Sequence, residues 1–362
     1  MWLISRAGSA VALAVLAYLL FWPVPIDPLP WKAPPNPGRT GAFAPNSLLA
    51  AAEQPMSTLG DGPEDIVRGP DGWFYTGLND GRILRFDLDA RRTESFANTG
   101  GRPLGMRFDG LGNLIVADAY RGLLSIAPAG RITVLTDSVA GTRFRYTDAV
   151  AVAGDGAIWF SDASRRFSDS SKGIMEFWES RPTGRLLRYD PVTRRTTVHL
   201  DTLDFGNGVA VGPEDAYVLI NETMGARILR LWLTGPRAGQ RDVFIDRLPG
   251  MPDNISFNGR DIFWVGLVGP RPARDEQVRA LPPFLRKILF RVPERLRPVA
   301  LTPLGWVIGI DTTGRVRYNL QDSTGKVWSI TSAIEADGWL YLASFAMPTV
   351  SRIRVPSPES SP

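Results

Sequence analysis

Short apolar runs that each follow a polar turn recur along most of this chain. Six of them stand out: residues 73–75 after Gly72, 114–116 after Asn113, 157–160 after Gly156, 216–220 after Asp215, 261–265 after Arg260 and 339–342 after Gly338. Apolar runs bounded by turn residues are typical of buried strands in an antiparallel meander. Units of about 40–50 residues with several short strands each are typical of propeller blades. The pattern therefore predicts an all-β fold, a six-bladed β-propeller.

Two connections are longer than the rest and indicate insertions, a loop around residues 165–182 and a larger segment over residues 269–303. In the second, an apolar stripe predicts an amphipathic helix over residues 279–292. The stripe consists of Leu281, Phe284, Leu285, Ile288, Leu289 and Val292, and Arg279, Arg286, Lys287 and Arg291 lie off it. Two interpretations stay open: a lid packed on the propeller face, or a basic helix lying on anionic lipid.

The two ends of the chain have a different composition from the repeats. Residues 1–22 are mostly apolar and predict an uncleaved signal-anchor helix, with a cleaved signal peptide as the alternative. On the first interpretation the propeller lies outside the cytoplasm, in the periplasm or the extracellular space. Residues 23–49 are rich in proline and predict a stiff linker with no core of its own. The propeller is expected over residues 50–356, followed by a tail at 357–362.

Composition removes several functional classes. The 362 residues include no Cys, which excludes disulfides, thiolate metal sites and a cysteine nucleophile. The net charge of +4 is too small to indicate nucleic-acid binding, so no nucleic-acid partner is expected. The hydrophobic fraction of 44% is ample for a packed core.

Four oxygen-bearing side chains occupy the same register in four of the repeats. Glu64, Asp148 and Asn207 each lie eight positions before a turn, and Asp253 lies seven before one. Side chains at the start of the innermost strands converge on the propeller axis, where three carboxylates would repel one another without a cation. Ca²⁺ prefers such hard oxygen ligands, so we expect a calcium site. The alternative is that each is an ordinary turn residue, because Asp and Asn are common in turns.

Several stretches also resemble a known family. They are residues 62–66 (Gly-Pro-Glu-Asp-Ile), 207–211 (Asn-Gly-Val-Ala-Val), 221–223 (Asn-Glu-Thr), 227–236 (Arg-Ile-Leu-Arg-Leu-Trp-Leu-Thr-Gly-Pro) and 249–255 (Pro-Gly-Met-Pro-Asp-Asn-Ile). These resemble the strictosidine synthase-like family, within the wider group of calcium propellers that includes gluconolactonase and paraoxonase. The resemblance covers about residues 50–355. It implies that Glu64, Asn207 and Asp253 match the family's ion ligands, and that Asp148 stands where the lactonases have Asn.

The resemblance implies lactone or ester hydrolysis, with two departures from the family pattern. Thr331 falls near the place of the glutamate that acts in strictosidine synthase, and His199 is the single histidine, so no histidine dyad is available. We therefore expect a membrane-anchored, calcium-dependent hydrolase of lactones or esters. Asp253 is the expected nucleophile or base, and Asp148 is the other candidate base. The alternatives are a lyase-type enzyme that forms carbon–nitrogen bonds and a non-catalytic binding or scaffold propeller.

Overall fold

The computed structural model describes residues 2–56, 58–89, 91–171, 173–297 and 302–356, so the predicted tail at 357–362 lies outside the described residues. Within these ranges the strands form five four-stranded sheets, one three-stranded sheet and one two-stranded hairpin. The six larger sheets are antiparallel meanders in chain order, and each of them is one blade. The six-bladed, all-β propeller predicted from the repeats is therefore confirmed.

Each blade is built from strands that are consecutive in the chain. Blades one to three consist of β1 Val67–Arg68, β2 Phe74–Gly77, β3 Arg82–Asp87 and β4 Arg92–Asn98; β5 Pro103–Phe108, β6 Leu114–Asp118, β7 Gly122–Ile126 and β8 Ile132–Thr136; and, after a small hairpin (β9 Ser138–Val139 and β10 Thr142–Arg143), β11 Thr147–Val152, β12 Ile158–Asp162, β13 Gly184–Asp190 and β14 Arg195–Leu203. Blades four to six consist of β15 Gly206–Val211, β16 Tyr217–Glu222, β17 Arg227–Trp232 and β18 Arg241–Ile245; β19 Gly250–Phe257, β20 Ile262–Pro270, β21 Gly305–Asp311 and β22 Val316–Asp322; and β23 Ile330–Ala336, β24 Trp339–Ser344 and β25 Ser351–Arg354. The six apolar runs are the second strands of the blades.

The ring is closed by packing and hydrogen bonds between the last blade and the N-terminal part of the propeller. Tyr341 and Ala343 of blade six share one apolar cluster with Ile66 and Phe74 of blade one. Glu53 pairs with Arg352 on β25 through two main-chain hydrogen bonds of 2.7 and 2.9 Å. The segment before blade one thus covers the outer edge of the three-stranded blade, which would otherwise present unpaired backbone groups.

Both insertions leave the propeller on the same face. Each connects the second and third strands of its blade, β12 to β13 and β20 to β21, and in an antiparallel meander that connection lies on the face where the first strand begins. The first insertion contains a 3-10 turn, Asp169–Ser171, and helix α2, Ile174–Glu179. The second contains α3, Ala273–Arg279, and α4, Pro283–Arg291, followed by a 3-10 turn at Glu294–Leu296. This face therefore carries both the starts of the inner strands and the segments that cover them.

The helix predicted over residues 279–292 is wrong in its bounds and in its buried face. Two consecutive prolines, Pro282 and Pro283, end the first helix and start the second, because proline lacks a donor and is tolerated in a first turn. Arg286, which lies off the predicted stripe, is fully buried, whereas Phe284 on that stripe is 62% exposed. Arg286 is buried because it donates to the main-chain oxygens of Trp178 and Leu29.

Residues 23–49 are extended, but they are packed onto the propeller and its insertions. Ile26 forms a buried cluster with Trp178 and Val278, and Leu49 belongs to the core between blades five and six. Two 3-10 turns, Gly41–Phe43 and Leu48–Ala51, follow in this segment. The segment predicted as a linker thus contributes single side chains to cores formed by the insertions and the blades.

The N-terminal helix α1, Trp2–Phe21, ends against α4. Arg291 of α4 donates to the main-chain oxygens of Leu19 (2.9 Å) and Trp22 (2.6 Å), which satisfies carbonyls left free at the helix end. In the described part of the chain, no helix combines the length and the apolar character needed to cross a membrane.

Candidate active site

The predicted side chains lie where the innermost strands of the blades depart from regular pairing. The register shifts between Thr147 and Val150, between Gly206 and Val209, and between Pro252 and Ile255. Asp148, Asn207 and Asp253 fall inside these irregularities, and Glu64 lies just before β1. A β-bulge releases a residue from the ladder and changes the direction of its side chain. The common register seen in the sequence therefore corresponds to a repeated structural feature.

Two glycines allow the inner strands to approach closely at this level. A Cβ on Gly208, next to Asn207, would lie 2.4 Å from the main-chain oxygen of Asp253. A Cβ on Gly105 of blade two would lie 2.8 Å from the main-chain oxygen of Asp148. Both distances are far below normal contact, so a larger residue at either position would push two inner strands apart. Gly105 occupies the equivalent position on the inner strand of blade two, and as a glycine it contributes no side chain toward the axis.

All four predicted residues line one cavity of about 250 Å³ on the face covered by the insertions. Asp148, Asn207 and Asp253 are 1%, 3% and 5% exposed, and Glu64 is 8% exposed. We call these four side chains the oxygen set. The structure thus places them together, buried and beside a space that can receive a ligand.

Three oxygens of this set have no hydrogen-bond partner among the described residues. They are Oδ1 of Asp148, Oδ1 of Asn207 and Oδ1 of Asp253, one from each of three blades. A buried polar atom without a partner is costly, and such atoms are rare in folded proteins. Hard oxygen donors left unpaired around one cavity fit a cation such as Ca²⁺.

Glu64, the fourth member of the oxygen set, forms a salt bridge with Arg102. Arg102, 2% exposed, donates from Nη2 to Oε2 of Glu64 at 2.8 Å and from Nη1 to the main-chain oxygen of Gly62 at 3.0 Å. Within the described ranges, no three acidic or histidine side chains lie close enough together to form a ready-made metal cluster. The set therefore fits an ion through its unpaired oxygens and not through a closed cage of carboxylates.

Burial and mutual repulsion dominate the electrostatics of the site. Burial raises the pKa of Asp148 well above its usual value, and the charges of Glu64 and Asp253 act in the same direction. The pKa of Asp253 is likewise raised well above its usual value by burial and then by Glu64, while a hydrogen bond with Asn207 opposes the rise. These carboxyls therefore favour the protonated form when no cation is bound beside them.

Sequence reasoning missed a second group of polar residues in the same cavity. The hydroxyl of Tyr146 donates to Oδ1 of Asp169 at 3.0 Å, and Oδ2 of Asp169 lies 3.7 Å from Nε of Arg102. Asp169 belongs to the first insertion and Arg102 precedes β5, so neither shares the register that identified the oxygen set. Their only sequence signal was the unusual length of the loop that carries Asp169.

The two positions that depart from the family pattern lie elsewhere. Thr331 is fully buried, and its hydroxyl donates to the main-chain oxygen of Glu64 at 2.5 Å. His199 lies on β14, the outermost strand of blade three, where its ring packs 4.7 Å from that of Trp159. Thr331 therefore supports the backbone of blade one, and His199 is remote from the cavity.

The protein is a six-bladed β-propeller, and its fold is similar to that of solved gluconolactonases. A gluconolactonase from Xanthomonas campestris superposes with a TM-score of 0.62 at 16% identity, over 91% of this chain and 97% of that one. A calcium-binding regucalcin from Agrobacterium tumefaciens superposes with a TM-score of 0.56 at 12% identity, over 82% and 93%. At these identities the likeness shows the fold.

Two relatives match this chain over most of its length. The adipocyte plasma membrane-associated protein of Rattus norvegicus is 32% identical over 96% of this chain and 98% of its own length. Protein STRICTOSIDINE SYNTHASE-LIKE 4 of Arabidopsis thaliana is 34% identical over 84% of this chain and 82% of its own length. The chain therefore belongs to the strictosidine synthase-like family. The family model for strictosidine synthase matches residues 148–236, and the model for the strictosidine synthase-like N-terminal region matches residues 41–86.

Proposed function

We propose that this protein is a calcium-dependent hydrolase of lactones or esters. The observation that carries the proposal is the group of three unpaired, buried oxygens, contributed by three blades to one cavity. The gluconolactonase-like fold and the raised pKa values of Asp148 and Asp253 also support it. A purely structural role for these residues would leave unexplained why they surround open space and lack partners.

In the proposed reaction, the oxygen set would hold calcium, and the carboxylates of the chain would transfer protons or attack the substrate. Glu64, Asp148, Asn207 and Asp253 would hold Ca²⁺, which when bound supplies a Lewis acid that polarises a carbonyl group. Asp148 or Asp253 would take a proton from the attacking water on a carboxylate oxygen and return it to the leaving group. Asp253 could instead attack the carbonyl carbon itself, in which case water would release the acyl group in a second step.

The second insertion supplies the cover of the cavity. Pro272 and the buried Arg279 of this insertion line the cavity, and Val268 and Pro270 at the end of β20 add apolar surface beside them. A covered, mainly apolar wall keeps competing water away from the carbonyl and favours substrates with an apolar part.

The test is a panel of lactones and aryl esters, assayed with and without calcium. We expect turnover that a chelator abolishes and that Asp253→Asn abolishes while the melting transition persists. A protein that binds calcium but hydrolyses no member of the panel would favour the scaffold alternative.

The family name keeps a carbon–nitrogen bond-forming reaction as the second candidate. Thr331 offers a hydroxyl that is engaged by the main chain of Glu64 and no carboxylate, which disfavours that reaction. Incubation with an amine and an aldehyde distinguishes the two: product formation without ester hydrolysis would replace the first proposal with the second.

We further propose that the protein is attached to a membrane through α1, with the propeller outside the cytoplasm. The name of the adipocyte relative supports attachment. In this chain, Val11, Leu13 and Phe21 of α1 are 63%, 66% and 78% exposed, and Phe284 of α4 is 62% exposed. Flotation with liposomes should require residues 1–22, and Phe284→Ser should weaken it if α4 also touches lipid. Protease treatment of intact cells should degrade the propeller if it lies outside the cytoplasm.

A further inference from the structure

One wall of the cavity comes from the segment that the sequence identified as a linker. Trp31 lines the cavity together with residues of the insertions, although the first blade begins only at Val67. We call residues 24–36 the strap. Trp31 therefore contributes to the cavity without belonging to any blade.

The strap is held on both sides of Trp31. On one side, the main-chain N–H of Leu29 donates to the oxygen of Glu179 at 2.9 Å, and the oxygen of Leu29 accepts from Arg286. On the other side, Arg271 donates to the oxygen of Pro34 at 2.9 Å. These contacts join the strap to both insertions, so the backbone around Trp31 has little freedom to move.

The indole itself is held by a guanidinium. Cζ of Arg279 lies 4.2 Å from the centre of the Trp31 ring, within cation–π range. Arg279 is 3% exposed, and it donates to both carboxylate oxygens of Asp204 at 3.0 Å and to the oxygen of Met224 at 2.8 Å. Because its charge is balanced by Asp204, Arg279 is held in place and in turn orients the ring of Trp31.

The cavity lining therefore combines groups of different chemistry. The oxygen set provides buried polar atoms, and Trp31, Phe177, Met224 and Met251 provide apolar surface, which we call the apolar zone. An ester bound with its carbonyl at the oxygen set would place its acyl chain against the apolar zone. In a cavity of about 250 Å³, a rigid indole limits how long or bulky that chain can be.

We propose that Trp31 is a specificity-determining residue that sets the upper size of the acyl group accepted by the site. The inference rests on the proposed hydrolase function for the nature of the substrate. It rests on the strap, the cation–π contact and the cavity lining for the role of Trp31.

The experiment measures kcat/KM for p-nitrophenyl esters of increasing acyl length with the full-length, calcium-loaded protein. Wild type should show a sharp fall at one chain length. Trp31→Ala should move that fall to longer chains and raise kcat/KM at least tenfold for the first ester that wild type rejects. Trp31→Phe should lie between the two. Trp73→Ala removes a tryptophan that packs under Arg85 on blade one, and it should leave the profile unchanged.

A second measurement separates this inference from the proposed function. Methyl ketones of increasing length cannot be hydrolysed, and their binding is measured by calorimetry in the same variants. If wild type hydrolyses no ester, the proposed function fails, and the ketone series alone decides the role of Trp31. The same length limit for wild type and Trp31→Ala, or a uniform loss across all lengths in a folded variant, would overturn the inference.

Discussion

Calcium removal should destabilise the wild-type protein, and Asp253→Asn should strongly reduce that dependence. The reason is that Asp253 contributes an unpaired, buried oxygen and a negative charge to the oxygen set. With calcium, wild type should be the more stable of the two proteins, and in chelator this order of stability should reverse. Without the ion, the charge of Asp253 is opposed by burial and by Glu64, so the neutral asparagine should be at least as stable as wild type.

The magnitude follows from linkage between binding and folding. At free calcium of about 100 times Kd, binding to the native state alone adds about 2.7 kcal/mol. An unfolding entropy of about 2.1 cal/mol/K per residue, over about 300 ordered residues, gives about 0.6 kcal/mol/K. The wild-type Tm should therefore rise by about 4 °C on saturation with calcium, and that of Asp253→Asn by much less.

Differential scanning calorimetry in chelator and in a calcium series measures both effects. The matched control is Asp242→Asn, the same substitution on the outer strand β18, where the carboxylate pairs with Arg230 at 2.9 Å. This variant should keep the full calcium response. A wild-type Tm that ignores calcium, or an Asp253→Asn variant that responds as wild type does, would refute the reasoning.

Three further predictions concern the same face. In metal-free protein, the free energy of unfolding should fall as pH rises from the usual Asp pKa of 3.8 through the raised pKa values of Asp148 and Asp253, because the native state binds more protons there than the unfolded state. Urea titrations across pH should show this fall, and excess calcium should remove it. Arg102→Met should tighten calcium binding about three- to tenfold by calorimetry, because a guanidinium beside Glu64 repels the ion; weaker binding would contradict this. Deleting residues 1–22 should leave Tm nearly unchanged, whereas deleting residues 1–40 should cost about 1–3 kcal/mol, because Arg286 loses its acceptor in the strap; equal effects in thermal melts would contradict it.

The blades were predictable because their information is local. Each strand pairs with its neighbour in the chain, so apolar runs and turn residues specify the meander without long-range contacts. The register of Asp148, Asn207 and Asp253 was readable for a related reason. Bulges recur at the same height in the inner strands, so residues that lie the same number of positions before each turn end up at the same height along the propeller axis.

The insertion was predicted less well because its buried residues depend on distant segments. A stripe at helical spacing predicted burial of apolar residues such as Phe284, but Arg286 is the residue enclosed. Its partners, Trp178 and Leu29, are 108 and 257 positions away in the chain. Periodicity within one helix carries no information about main-chain oxygens supplied by another insertion or by the N-terminal segment.

The same reasoning explains why the sequence predicts the oxygen set better than it predicts the apolar zone of the cavity. The oxygen set comes from inner strands, whose geometry follows from closing the ring, and it can recur in any propeller of this type. The apolar zone combines Met224 and Met251 of blades four and five with Trp31 and Phe177, which come from an N-terminal segment and an insertion that meet on the covered face. Nothing in the blade pattern constrains those segments, so they can change without disturbing the core. Substrate choice should therefore vary with the strap and the insertions, while dependence on a cation should follow the inner strands.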